Sequence, residues 1–261
     1  RRIREFMART LTLLAGGALL VLTVGISLLS PAQMDSMQEG FMTPILAFEF
    51  VRSPAEVYNL FALQVSKTSG VVATCAELNS TASYRITALD AINQMDSAYI
   101  LAYTAFMVFL ANLRFGAEGN RRFLAATWIL AIVALVFDIL ENIALLGITE
   151  ALGYCLVWSQ QQNGPAIIQD WVSLLIPFTQ IKWFAIPLAF LLMGRSPLPE
   201  KKVAVWFRYF SVGSAILALL LLLVGIFYRP FVIEGMALFV GLCFLTGFLE
   251  TLFNKPLRTE T

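Results

Sequence analysis

Six apolar stretches, at about 11–29, 96–113, 123–147, 171–193, 209–228 and 231–253, constrain this chain more than any other feature. Each is long enough to cross a hydrocarbon core of about 30 Å. Lipid offers the backbone no hydrogen-bond partners, so stretches of this length cross as helices. The alternative is six helices buried in a soluble protein, which would need polar outer faces to meet water. The chain has few groups to build them: 59% of it is hydrophobic, 13% is charged and the mean hydropathy is +0.77. A soluble domain carries about 25% charged residues. Disorder, a collagen-like rod and an ordinary cytosolic enzyme are excluded on the same grounds. The expected fold is all-α, a six-helix transmembrane bundle forming one integral membrane domain over 1–261, with its lipid bilayer as the first partner.

The basic residues orient the bundle. Arg1, Arg2, Arg4 and Arg9 precede span one, Arg114, Arg121 and Arg122 lie between spans two and three, and Arg195, Lys201, Lys202 and Arg208 lie between spans four and five. Lys255 and Arg258 follow span six, making thirteen on one side. The other side has four, namely Arg52, Lys67, Arg85 and Arg229, while Lys182 lies inside a span. Both termini are therefore expected in the cytoplasm, of a bacterial inner membrane or a eukaryotic membrane. Span one has arginines before it, as a signal peptide does, but its apolar run is too long for a typical cleavable one. It is read as an anchor that stays.

The outer loop, 30–95, is expected to be partly helical. Ser53-Pro54-Ala55-Glu56 has the form of a capping box with Pro at the first helical position. Val57, Leu60, Phe61 and Gln64/Val65 follow at helical spacing, predicting an amphipathic helix over about 54–66 on the membrane or on the bundle mouth. A further helical run at 88–95 leads into span two. The apolar segment 41–51 reads either as an interfacial turn-in or as a short strand. Asn79-Ser80-Thr81 fits a glycosylation sequon on the same face.

Charged groups inside a bilayer are costly and mark functional sites by default. Span three contains Asp138, Glu141 and Asn142, which share a helix face. Span four contains Thr179-Gln180-Ile181-Lys182-Trp183. Counted from the outer boundary, Asp138 and Lys182 reach nearly equal depths of about 15 Å at the α-helical rise. Lys182 is expected to pair with Asp138, with Glu141 a turn nearer the outside. Asp96, at the outer rim of span two, precedes Tyr99 and Tyr103, and Tyr103 is placed to donate to Glu141. Two acids against one base leave an imbalance. Either a carboxyl carries a proton or a cation completes the site; otherwise the group is a structural ion pair that fixes helix register.

Other polar residues are read as minor. Glu250 lies near the cytoplasmic end of span six and is expected to reach water, Arg229 and Glu234 are expected to pair across the short outer turn, and Cys243 reads as a small packing residue. Pro177 and Pro187 bracket Lys182 and each removes a backbone bond from span four. Net charge is +1, which gives no footprint for nucleic acid. Histidine is absent, so the commonest zinc ligand and general base are missing. There is no Gly-rich phosphate loop, CxxC pair, metal-spaced cluster or nucleophile elbow, so no cofactor, metal or catalytic residue is assigned.

Pro44-Ile45-Leu46-Ala47-Phe48-Glu49-Phe50 with Ser53-Pro54-Ala55-Glu56, the run from Leu89-Asp90 to Tyr103, the stretch Phe137-Asp138-Ile139-Leu140-Glu141-Asn142-Ile143-Ala144-Leu145-Leu146, and Lys182-Trp183 together resemble a group of uncharacterised bacterial polytopic membrane proteins. That pattern has an AFELA-TPE segment, an Asp-led second span, a D-LEN--LL third span and a Lys-aromatic fourth span. It covers about 44–195 and leaves spans five and six unmatched. The resemblance implies the same topology, directs attention to Glu49, Asp138, Glu141, Asn142 and Lys182, and implies no activity.

Three functional readings follow. The first is a non-enzymatic membrane protein that binds a small solute or ion in an outward-opening pocket of spans two to four, lined by Asp138, Glu141, Asn142, Lys182, Tyr103, Tyr99, Asp96, Gln180 and Glu49. The second is a structural or accessory subunit among partner membrane subunits. The third, and weakest, is a lipid-modifying enzyme. The topology also places Cys75 and Cys155 on the oxidising face, where they are either bonded to each other or free. A bonded pair shifts gel mobility on reduction and blocks thiol labelling; free thiols label without reductant.

Overall fold

The computed structural model describes residues 2–31, 37–63, 80–116, 120–157, 164–228 and 231–254. Eight helices run through them: α1 (Arg2–Leu29), α2 (Pro44–Glu49), α3 (Pro54–Leu60), α4 (Ser80–Phe115), α5 (Arg121–Val157), α6 (Gly164–Met193), α7 (Lys202–Gly225) and α8 (Phe231–Phe253). No strand occurs among the described residues, and six of the helices are long and apolar enough to span a membrane. Cys75, Asn79 and Arg229 lie outside the described residues, as does the side chain of Cys155, so the disulfide, the sequon and the Arg229–Glu234 pair fall there too.

Hydropathy marks only the part of a helix that needs lipid, so several helices run past the expected spans. α4 begins at Ser80, taking in the helical run expected at 88–95 and eight residues before it, with 36 residues, and α5 has 37. α6 starts at Gly164 and continues unbroken through Pro177 and Pro187. Exposed aromatic side chains ring both ends of α7, with Trp206, Tyr209 and Phe210 at one and Phe227, Tyr228 and Phe231 at the other. Tyr209 and Tyr228 are about 28 Å apart at the α-helical rise, the thickness of a hydrocarbon core.

Between α1 and its neighbours the helices approach through small residues. A side chain at Gly16 would meet Phe106 and Phe248, and one at Gly25 would meet Met95. Arg9 of α1 donates to the carbonyls of Thr251 (3.2 Å) and Leu252 (3.2 Å) in α8, which fixes the start of α1 and the end of α8 at one end of the bundle. That end is called the terminal end below; the opposite one, which carries α2 and α3, is the hairpin end.

The segment 41–51 is helical, not a strand. α2 begins on Pro44 and buries Leu46, Ala47 and Phe48. In α3, Ser53 Oγ accepts from the Glu56 amide at 3.3 Å, and Glu56 Oε2 accepts from the amide of Arg52 at 2.9 Å, so the return arm of the capping box reaches one residue further back. The helix stops at Leu60, short of the expected 66. Ala62 adopts φ 55°, while Ala62 N donates to Asn59 O (3.0 Å) and Leu63 N to Tyr58 O (2.8 Å), the two bonds of a Schellman closure.

The α2–α3 pair does not lie on the membrane. Phe48, Val57 and Phe61 are fully buried, and the rings of Phe48 and Phe61 meet edge to face at 5.3 Å. The pair plugs the mouth of the bundle and is tied by polar bonds to several helices. Glu234 of α8 accepts from the amides of Met42 (2.9 Å) and Thr43 (2.7 Å) and from the Thr43 hydroxyl (2.8 Å). Arg52 donates to the carbonyls of Gly225 and Ile226, and Arg85 of α4 donates to Leu60 O.

Glu250 does not reach water. It is 3% exposed, because Arg114 of α4 (2.6 Å) and Arg208 of α7 both close on it. Arg208 also donates to Ser196, which anchors the α6–α7 turn. Cys243 is a free, buried thiol that packs on the Ser211 carbonyl, as a small packing residue should. Removing the shared acid leaves two unpaired buried guanidiniums. Glu250→Gln is therefore expected to cost about 3–5 kcal/mol, read as a lower unfolding midpoint in a detergent titration.

Candidate functional site

Lys182 is on the inward face of α6, 5% exposed, and three carboxylates from two other elements converge on its ammonium. Glu141 Oε1 accepts from Nζ at 2.8 Å, Asp138 Oδ1 at 3.1 Å and Glu49 Oε2 at 3.3 Å. Asp138 and Glu141 share a face of α5 at i, i+3 spacing, which is why one ammonium reaches both. Glu49 comes from the last residue of α2. It also accepts from Trp183 Nε1 at 3.0 Å, and its backbone carbonyl accepts from Thr179 Oγ1 at 3.2 Å. Lys182 Nζ lies 5.2 Å from the Trp183 ring.

Around this centre lies a second layer of polar bonds. Tyr103 donates to Asp138 Oδ2 at 2.8 Å, and Asn142 donates to Asp96 Oδ2 at 2.8 Å. The expected Tyr103–Glu141 bond is not made. Asp138 is the acid that faces α4 directly, whereas Glu141, one turn outward, rotates toward α6. Asp96 does not stand at an outer rim, since α4 continues sixteen residues beyond it to Ser80. Tyr99 stacks edge-on to Tyr103 at 5.9 Å and turns toward Thr23 of α1. Gln180 stays off the ammonium and lines a cleft of about 10 Å³ with Glu49, Arg52, Thr179, Leu222 and Gly225, room for about one water.

The cleft also gives the depth. Thr179 and Leu222 share it, and Lys182 is one turn further in, about 13 Å below the hairpin-end aromatic ring at the α-helical rise. That is close to the 15 Å of the depth count. Toward the terminal end the site is closed by rings. Phe244 contacts Tyr103 (6.0 Å), Phe106 (5.8 Å) and Phe190 (5.0 Å), and Phe106 and Phe190 are fully buried.

The charge count differs from the expected two against one. Three carboxylates surround one ammonium, and Asp96 sits behind them. Glu49 was visible only through the family-like segment; its position against Lys182 depends on α2 turning into the bundle. One atom is left over: Glu141 Oε2 is buried without a hydrogen-bond partner. Among the described residues no group of His, Cys, Asp and Glu is arranged to hold a metal ion, and the ammonium already occupies the centre of the carboxylates. Comparison with family models, curated proteins and solved structures finds no match.

The Lys182 ammonium is the only cation among these acids. Lys182→Met leaves a buried excess of negative charge, and its expected cost is about 3–5 kcal/mol of stability. Adding Asp138→Asn to Lys182→Met should recover part of that loss. Wild-type thermal stability in the single mutant would mean that the four groups do not act as a unit.

Proposed function

We propose that this is an integral membrane protein that binds a small positive charge, a proton or an alkali-metal ion, at the Lys182–Glu49–Asp138–Glu141 cluster. The observation that carries this reading is the unpartnered Glu141 Oε2, fully buried beside an ammonium already shared by three carboxylates. An ionised oxygen in an apolar interior without a partner costs several kcal/mol. A proton on that oxygen removes the buried charge and part of the surplus negative charge of the cluster, and an ion beside it would supply the missing partner. The proton is favoured, because the site offers room for no more than a water beside Glu49.

The hairpin end, which carries few basic residues, faces away from the cytoplasm in this reading, and the Arg-rich terminal end faces it. The cleft beside Glu49 holds about one water, too little for the small solute of the broader reading, so an ion is the ligand class it favours. Against it stands the accessory-subunit reading, in which the same four groups only hold α2, α5 and α6 in register.

Glu141→Gln separates the two. Gln keeps the shape of the acid and cannot ionise. The full chain is placed in lipid nanodiscs and stepped in pH, with sodium present or absent, while proton uptake and the infrared carboxylic-acid band are followed. If the cluster binds a proton, wild type gains a carboxylic-acid band and the variant takes up about one proton fewer per chain, with no loss of thermal stability. If it binds sodium, the wild-type response moves with salt and the variant's does not. If Glu141→Gln is as unstable as Lys182→Met and wild type shows no uptake, the cluster is structural.

A further inference from the structure

α4 and α5 are antiparallel neighbours, and their facing residues make three polar rungs. Tyr103 bonds Asp138, Asn142 bonds Asp96, and nearest the hairpin end Asp90 faces Thr149. Between the outer two rungs, one turn from Asp90 and one from Asp96, lies Asn93. It is 1% exposed, yet neither its amide nitrogen nor its amide oxygen has a partner, and one oxygen of Asp90 is buried in the same condition. Packing explains none of this. Helical spacing sets Asn93 between Asp90 and Asp96 on α4, level with the stretch of α5 between Asn142 and Thr149, where Leu145 and Ile148 are fully buried. A leucine at 93 would fill that space without leaving a donor and an acceptor dry.

A buried amide without a protein partner is satisfied by water. Polar side chains on α4 at 90, 93 and 96 are within one turn of each other, and Asn142, bonded to Asp96, stands about one turn from Asp138 on α5. That spacing suits single waters bridging one to the next. Toward the terminal end the corresponding space is filled by Phe106, Phe190 and Phe244, which offer no donor or acceptor.

We infer that the seam between α4 and α5, entered at Asp90 and passing Asn93, is a water-bridged route by which protons reach the Lys182 cluster from the hairpin end alone. This rests on the proton-binding reading above and adds a route and a side to it. The ionisable groups facing the route are Asp90, Asp96, Tyr99 and Tyr103 from α4, Asp138 and Glu141 from α5, Lys182 from α6 and Glu49 from α2. Asn93 does not bind the proton in the cluster; its amide positions the water that hands it on.

The test uses the full chain in vesicles, with orientation set by protease access to a C-terminal tag, and a rapid pH jump on one side at a time. Trp183, bonded to Glu49, is the reporter, and the signal counted is the part that Trp183→Phe removes. Wild type should respond to a jump at the hairpin side and not at the terminal side. Asn93→Leu should slow the response about tenfold or more and reach the same end point, while Asn93→Asp should restore the rate. Should Asn93→Leu fail to assemble, Asp90→Asn, at the half-buried mouth, reads the same step. An unchanged rate in these variants, or a response to the terminal-side jump, overturns the route and leaves the binding reading standing. No response in wild type from either side overturns both.

Discussion

One ammonium ties three elements of the hairpin end together. Lys182 is held by α6, Asp138 and Glu141 by α5, and Glu49 by α2, so a single charged group joins two membrane helices and a re-entrant segment. In lipid the helices have little hydrophobic drive to associate with one another. An ionic junction in a dry interior supplies direction instead, because each carboxylate deprived of it is left as an unpaired buried charge. The arrangement also accounts for irregular backbone at membrane depth. The α2–α3 segment, 42–60, is tolerated there because protein surrounds it and its polar groups are bonded to α4, α7 and α8.

The opposite end uses the same device with the signs reversed. Glu250 takes two guanidiniums, and Arg114 retains two buried N–H-bearing nitrogens without partners. One cluster therefore carries surplus acid and the other surplus base, and between them lie Phe106, Phe190 and Phe244. Along α4 the separation is that from Tyr103 to Arg114, about 16 Å at the α-helical rise. The aromatic layer keeps the two networks from exchanging partners.

Much of this was legible in the sequence, for physical reasons that also set the limits. Six spans follow from length and hydropathy alone, since a bilayer is a solvent of fixed thickness. The meeting of Asp138, Glu141 and Lys182 follows from helix periodicity and equal depth on consecutive antiparallel helices. Periodicity does not say how a helix is rotated, and so it places Tyr103 near Glu141 whereas the hydroxyl bonds Asp138. The burial of Glu250 is hidden in the sequence because its partners, Arg114 and Arg208, count as loop charges until the helices are packed. Glu49 could not be placed by composition or spacing, because no local rule says that an amphipathic segment outside the spans will turn back among them. The early end of α3 was hidden as well, since nothing marks Ala62 as a residue that will take a left-handed conformation.

The aromatic layer has an electrical consequence. A dry, ring-filled slab between a hydrated mouth and the far surface is where most of a transmembrane voltage would fall, while the mouth stays near the potential of its own side. A charge that moves from that side to the cluster stays on the mouth side of the slab and crosses only a minor share of the full drop of about 2.3 kcal/mol per 100 mV. Proton binding at the Lys182 cluster, as proposed, would then respond weakly to membrane voltage, and replacing the rings with smaller side chains that admit water from the terminal end would steepen the response.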